Sequence, residues 1–207
     1  LDSELPLIIA FDANANINWV VVGQVGEDGK LRVINSLYTK YDRKLPELVE
    51  DFCTYYRFIS YKSVIFYYDT TFIANNYALH NDDFHGTIVK ALKRHGWMVQ
   101  DVCIGRQMNH IDKQLLIDRM FKGHALHQVL INKDNNRDLL LSIETAGIYN
   151  GKKDKRGEKL AETEEDKLEN RTDGSDAFDT LCIGVEKFPK TQFRMTGAVI
   201  SSFGRAT

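Results

Sequence analysis

Four aspartates stand where a phosphodiester could be cut. Asp12 closes the apolar run 7–11, Asp69 closes the run 64–68, and Asp176 and Asp179 lie three residues apart in a helix-like stretch near residue 180. A carboxylate set against core strands is expensive unless something positive neutralises it. No Arg or Lys adjoins Asp12 or Asp69 in sequence, so a divalent metal is the economical candidate. Hard oxygen donors suit Mg2+ or Mn2+, and two ions about 4 Å apart can clamp the attacking and leaving oxygens of a phosphodiester. Each acid alone also reads as a local feature. Asp12 and Asp69 can open Asx-turns, and Asp176 can be a first-turn acid favoured by the helix dipole. Three separate elements each carrying such an acid are harder to explain as independent turns.

The elements that must position these acids follow from periodicity. Short β-rich runs at 7–11, 18–25 and 31–37 are separated by turn-like segments at 14–17 and 26–29, which predicts three consecutive antiparallel strands. Leu45, Leu48, Val49, Phe52, Cys53 and Tyr56 form a stripe at helical spacing, with Pro46 acceptable in the first turn. The run 63–68 lacks polar alternation and reads as a central strand buried on both faces. A helix over 84–95 ending at Gly96, a strand over 97–104, a helix over 112–121, a short strand over 128–131 and a helix over 135–145 follow. The expected order is β-β-β-α-β-α-β-α, antiparallel first and then wound parallel. Residues 146–170 break this pattern, with a basic run (Lys152, Lys153, Lys155, Arg156, Lys159) and then an acidic polar stretch, and read as a hairpin excursion. The chain returns at a helix near 180, for which Ser175 is the expected N-cap.

The chain has 207 residues, 43% of them hydrophobic, enough for one domain with a real core, and neither an internal repeat nor a linker divides it. A net charge of -2 gives no global field pointing to nucleic acid, so any such binding must come from a local patch. Cys53, Cys103 and Cys182 sit far apart in apolar runs and read as buried thiols of a reducing compartment. No signal peptide or apolar span of membrane length is present, and the first residue is Leu1, which suggests a piece excised from a longer chain. His124 and His127 lack further ligands at metal-site spacing, and His110 reads as a surface or capping residue.

The strand-to-acid starts Ile-Ile-Ala-Phe-Asp12 and Phe-Tyr-Tyr-Asp69-Thr-Thr, together with Ser-Asp176-Ala-Phe-Asp179-Thr-Leu, resemble the three acidic motifs of the nuclease domain of phage large terminase subunits, a branch of the RNase H-like superfamily. The segment from Asn109-His110-Ile111-Asp112-Lys113 through Glu144, and a basic hairpin before the last acidic motif, add to the resemblance, which runs over most of 7–187. It implies a single α/β domain over 1–207 with an RNase H-like mixed sheet, three antiparallel strands and then parallel ones, flanked by helices. It further implies a divalent-metal-dependent endodeoxyribonuclease that cuts concatemeric viral DNA during packaging, with two Mg2+ or Mn2+ ions on Asp12, Asp69 and an acid of the last helix. Both Asp176 and Asp179 stay open for that role, with Asp173 a further candidate. Lys152, Lys153, Lys155 and Arg156 would face phosphates, if they are not simply a solvated hairpin tip. The implied partners are double-stranded DNA, the terminase ATPase domain, the small terminase subunit and the portal, in the cytoplasm of a bacterial host and with no membrane. The phosphate-binding signature of an ATPase motor is absent from the sequence, so the resemblance reaches only the nuclease half. Two alternatives stand beside it. One is a silent RNase H-like module that binds DNA or a partner, for which the lack of a conventional acid between Asp12 and Asp69 leaves room: Glu47, Glu50 and Asp51 match no motif. The other is a different nuclease of the superfamily, such as a resolvase or RNase H proper, against which length and the basic hairpin argue in the RNase H case.

Overall fold

The computed structural model describes residues 1–14, 17–40, 42–74, 83–106, 108–155 and 172–189. Strand alternation decides which way the acids face. In β1 (Leu7–Ala13), Leu7, Ile9 and Phe11 enter one core cluster, while Ile8 and Ala10 enter a second on the other side of the sheet. In β4 (Ser63–Tyr68), Val64, Phe66 and Tyr68 join the first cluster, and Ile65 and Tyr67 the second. Successive side chains of a strand point to opposite faces, so Asp12 and Asp69 both continue the parity of the second cluster. The strands pair in parallel with Ala10 opposite Tyr67, and two residues further along each strand are Asp12 and Asp69. The two carboxylates therefore leave the sheet side by side.

The six-stranded sheet has the order β5-β4-β1-β2-β3-β6, with β2 (Ile17–Val25), β3 (Leu31–Lys40), β5 (Met98–Cys103) and β6 (Val129–Ile131). β1, β2 and β3 are consecutive antiparallel strands, whereas β4, β5 and β6 are added in parallel. This is the RNase H-like mixed sheet expected from the sequence. Helices α1 (Leu45–Tyr55) and α2 (Phe84–Arg94) supply Leu48, Phe52, Ile88 and Leu92 to the first cluster. Helices α3 (His110–Phe121), α4 (Arg137–Thr145) and α5 (Asp173–Lys187) cover the opposite face, supplying Met120, Leu139, Phe178 and Leu181 to the second. A two-residue hairpin, β7 (Ile148–Tyr149) and β8 (Lys152–Lys153), stands apart from the main sheet. Its turn residues Asn150 and Gly151 have φ of 51° and 71°, the left-handed pair that a tight hairpin requires. Residues 156–171, which hold Arg156, Lys159 and the rest of the expected excursion, lie outside the described residues.

Two expectations are corrected. Helix α5 starts at Asp173 with Thr172 at its N-cap position, not at Ser175, whose hydroxyl instead donates to the Thr172 carbonyl at 2.8 Å. The Asp173 and Asp176 carboxylates both fall in the first turn, where the helix dipole favours them. Cys103 is exposed, because β5 is the edge of the sheet, whereas Cys53 and Cys182 are buried as expected. No described helix is long and apolar enough to cross a membrane.

Helix α5 lies unusually close to the sheet. A Cβ on Gly184 would sit 2.2 Å from Cγ of Tyr67, and one on Gly174 would sit 2.9 Å from the Trp19 ring. Glycines near both ends thus let the backbone of α5 rest on aromatic rings of β2 and β4, and this closeness brings its acids down to Asp12 and Asp69. Gly184→Ala should lower stability by roughly 1–3 kcal/mol, the overpacking cost exceeding the helix-propensity gain. That corresponds to a fall of several degrees in Tm for a chain of this size, about 2–4 °C per kcal/mol. An unchanged melting curve would show that the helix can stand further off the sheet.

Candidate active site

Asp12, Asp69, Asp176 and Asp179 line one cleft of about 100 Å³ at the C-terminal ends of β1 and β4. The structure thus brings together the four acids singled out from the sequence. A larger cavity of about 950 Å³, bordered by Leu5, Pro6, Ser60 and Tyr61, lies at the opposite ends of the same strands and gathers no comparable set of acids. The smaller cleft is the one whose walls carry the charge.

Each acid is held differently. Asp69, 3% exposed, caps a single 3-10 turn over Thr70–Ile73: its Oδ1 accepts from the Thr71 backbone N–H at 2.8 Å and from the Thr71 hydroxyl at 2.5 Å. The turn-forming role open to it in the sequence is therefore realised, and it fixes the carboxylate at the cleft wall. Asp12 is half-buried, and the Asn14 amide reaches its Oδ2 at a long 3.4 Å. The same Asn14 amide donates to Asp173 Oδ1 at 2.6 Å, so Asp173 faces Asn14 and is not among the residues lining the cleft.

Asp176 and Asp179 are bound to lysines from two other elements. Lys153 of β8 donates to Asp179 Oδ2 at 2.6 Å, Asp176 Oδ1 at 2.9 Å and the Ser175 hydroxyl at 2.8 Å. Lys113 of α3 stands 2.7 Å from Asp179 Oδ2 and 3.8 Å from Asp176 Oδ1. Lys155 donates to Asp176 Oδ2 at 2.7 Å. Burial works against ionisation of Asp176, yet Lys153 and Lys155 override it and hold the carboxyl well below the usual carboxylate range. Burial likewise opposes the charge on Lys153, and Asp179 and Asp176 outweigh it, raising the ammonium above its ordinary value. His110, the first residue of α3, borders the cleft rather than the open surface. Burial and then the nearby Lys113 lower its pKa, which favours the neutral ring.

The basic run expected to face phosphates is therefore divided. Lys153 is turned into the acid cluster, with a side chain only 11% exposed, whereas Lys152 is exposed and Arg156 lies outside the described residues. Lys113 carries no direct sign of a role in the sequence. Its partner Asp179 is remote in sequence, and the only available signal was its position one helical turn after the Asn109 cap. Of the other histidines, His127 bonds the Gly29 carbonyl through Nδ1 at 2.7 Å, a structural contact between a loop and the β2–β3 turn.

Among the described residues, no three His, Cys, Asp or Glu side chains form a group that could hold an ion as they stand. The donor set nevertheless fits a hard divalent cation. Four carboxylates border one cleft, and two of them are already paired with lysine ammonium groups. The same oxygens can serve a metal once those ammonium groups give way.

No protein-family model matches the chain, and no curated protein matches its sequence. Among solved structures, Thermus thermophilus RuvC is 14% identical, with 89% of this chain and 95% of that one covered and a TM-score of 0.39. The same organism's RuvC in complex with a Holliday junction substrate is 8% identical over 89% and 96%, with a TM-score of 0.43. The fowlpox virus Holliday junction resolvase is 11% identical over 90% and 99%, with a TM-score of 0.44. At these scores the likeness carries no argument about activity, which rests on the cleft itself.

Proposed function

We propose that this domain is a divalent-metal-dependent DNA endonuclease. The observation that supports it best is the meeting of Asp12, Asp69, Asp176 and Asp179, from two strands and one helix, in a single cleft. Asp12, Asp69 and an acid of α5 would hold two Mg2+ or Mn2+ ions. When bound, such ions supply an activated water and charge stabilisation at the phosphoryl oxygens. The chain's own part is to fix the carboxylates: Thr71 orients Asp69, and the closeness of α5 to the sheet sets Asp176 and Asp179. Exposed Lys152, with Arg156, would contribute sequence-independent phosphate contacts from the hairpin side.

The substrate reading that the sequence resemblance supports is concatemeric viral DNA in the host cytoplasm, cut during packaging alongside an ATPase domain, a small terminase subunit and a portal. The comparisons name Holliday junction resolvases and nothing particular to packaging. A junction resolvase is thus the second reading, since the same four acids would serve it equally well. The deciding experiment offers the purified protein supercoiled plasmid and a synthetic four-way junction, each with MnCl2 or EDTA. Metal-dependent nicking of plasmid without preference for the junction is expected. Paired symmetric cuts confined to the junction would transfer the assignment to the resolvase reading. Binding of DNA and Mn2+ with cleavage of neither substrate would leave a silent binding module.

A further inference from the structure

Two lysines with little exposure share one carboxylate oxygen. Lys113 from α3 and Lys153 from β8 lie 2.7 and 2.6 Å from Asp179 Oδ2, and both side chains are only 11% exposed. Burying an ammonium group costs several kcal/mol unless carboxylates and further acceptors surround it. A lysine needed only for surface charge would stay in water, as Lys155 does for half of its side chain while still reaching Asp176. Here three positive charges, from α3, β8 and the residue two beyond β8, meet two acids in the cleft. They lie on oxygens that a hard cation would use.

From this placement we infer that Lys113 and Lys153 are internal stand-ins for the metal ions, holding Asp176 and Asp179 in position until divalent cations displace them. The inference rests on reading the acids as a metal site. Displacement is an exchange of like for like: an incoming ion removes the like-charge repulsion that two bare carboxylates would feel, so the ammonium groups are no longer required there. Lys153 is the part with room to move. Among the described residues, it sits on a two-residue strand that pairs with β7 and with no strand of the main sheet. Lys113 is anchored in the first turn of α3 and would yield by changing rotamer. The released ammonium of Lys153 would then lie beside the cleft, where a substrate phosphate would meet it. Both residues are thus positioning residues that act through Asp176 and Asp179.

The test is calorimetric titration of the whole chain with MnCl2, without DNA, for the wild type, Lys113→Met, Lys153→Met and Lys153→Arg, beside melting curves with and without the ion. Each Met variant should melt below the wild type in EDTA, bind Mn2+ about tenfold more tightly or better, a difference of roughly 1.4 kcal/mol, and regain the lost melting temperature as Mn2+ saturates. Lys153→Arg should return to wild-type affinity. A purely structural role predicts the opposite sign, because misplaced carboxylates bind metal more weakly. Equal or weaker Mn2+ binding by both Met variants therefore overturns the exchange. Should a Met variant fail to fold, hydrogen exchange in the wild type decides. Amides over 148–155 should exchange faster on adding Mn2+, and unchanged or slower exchange overturns the inference. A wild type that binds no Mn2+ overturns instead the metal-site reading, so the two failures are distinguishable.

Discussion

Asp12→Asn is expected to abolish Mn2+-dependent nicking of plasmid DNA while leaving the protein folded. The substitution keeps shape and removes charge. Asp12 lies at the end of β1, opposite Trp19 of β2 in the ladder, and its backbone pairing does not depend on the side chain. The half-buried carboxamide has Asn14 within reach. An amide oxygen is a much poorer partner for a divalent ion than a carboxylate, and the charge stabilisation such an ion supplies is worth several kcal/mol. Losing about 4 kcal/mol of it slows cleavage roughly a thousandfold. Nicking rates and far-UV melting curves of the two proteins make the comparison. Full activity in the variant would remove Asp12 from the site, and collapse of the fold would show that the side chain is structural.

The sequence made the acids of this site visible because each closes or opens a regular element, and strand parity carries Asp12 and Asp69 to the same face. Runs such as 64–68 also disclosed the buried central strand. What the sequence did not disclose is how the acids are neutralised. No Lys or Arg adjoins Asp12 or Asp69 in sequence, but Lys113 and Lys153 reach Asp179 from α3 and β8, remote from it in sequence. A basic run such as 152–156 looks solvated whether or not one member turns inward, since its alternation of facing appears only once the Asn150-Gly151 turn sets the register. Ser175 resembles an N-cap, yet the helix begins at Asp173, and Gly174 inside its first turn lets the backbone pass close to Trp19. Close approach of two backbones leaves little trace in a sequence beyond the glycines that permit it.

Asp179→Ala is expected to be more damaging than Asp176→Ala, in metal-free stability and in cleavage. The side chain of Asp179 is 7% exposed against 18% for Asp176. Removing Asp179 takes from Lys113 its 2.7 Å partner and leaves Asp176 at 3.8 Å, so an ammonium that is only 11% exposed loses most of its compensation. Breaking a buried pair in this way costs about 3–5 kcal/mol. Removing Asp176 leaves Lys153 bonded to Asp179 and Ser175, and half-exposed Lys155 loses this one ion pair at little cost. The Asp176 effect should also depend on pH with a definite sign. Its carboxyl is held below the ordinary range by Lys153 and Lys155 against burial, so its contribution is complete above about pH 4, the unfolded value, and fades as acid approaches the depressed one. Melting curves in EDTA from neutral to acid pH, beside nicking rates in MnCl2, test both statements. Asp179→Ala should lose nearly all cleavage and Asp176→Ala only part, because Asp179 is the more deeply held carboxylate and the one whose single oxygen both little-exposed lysines, Lys113 and Lys153, meet. Equal losses would mean that the two acids bind the ions jointly, and full activity in both would place the third metal-binding acid outside α5.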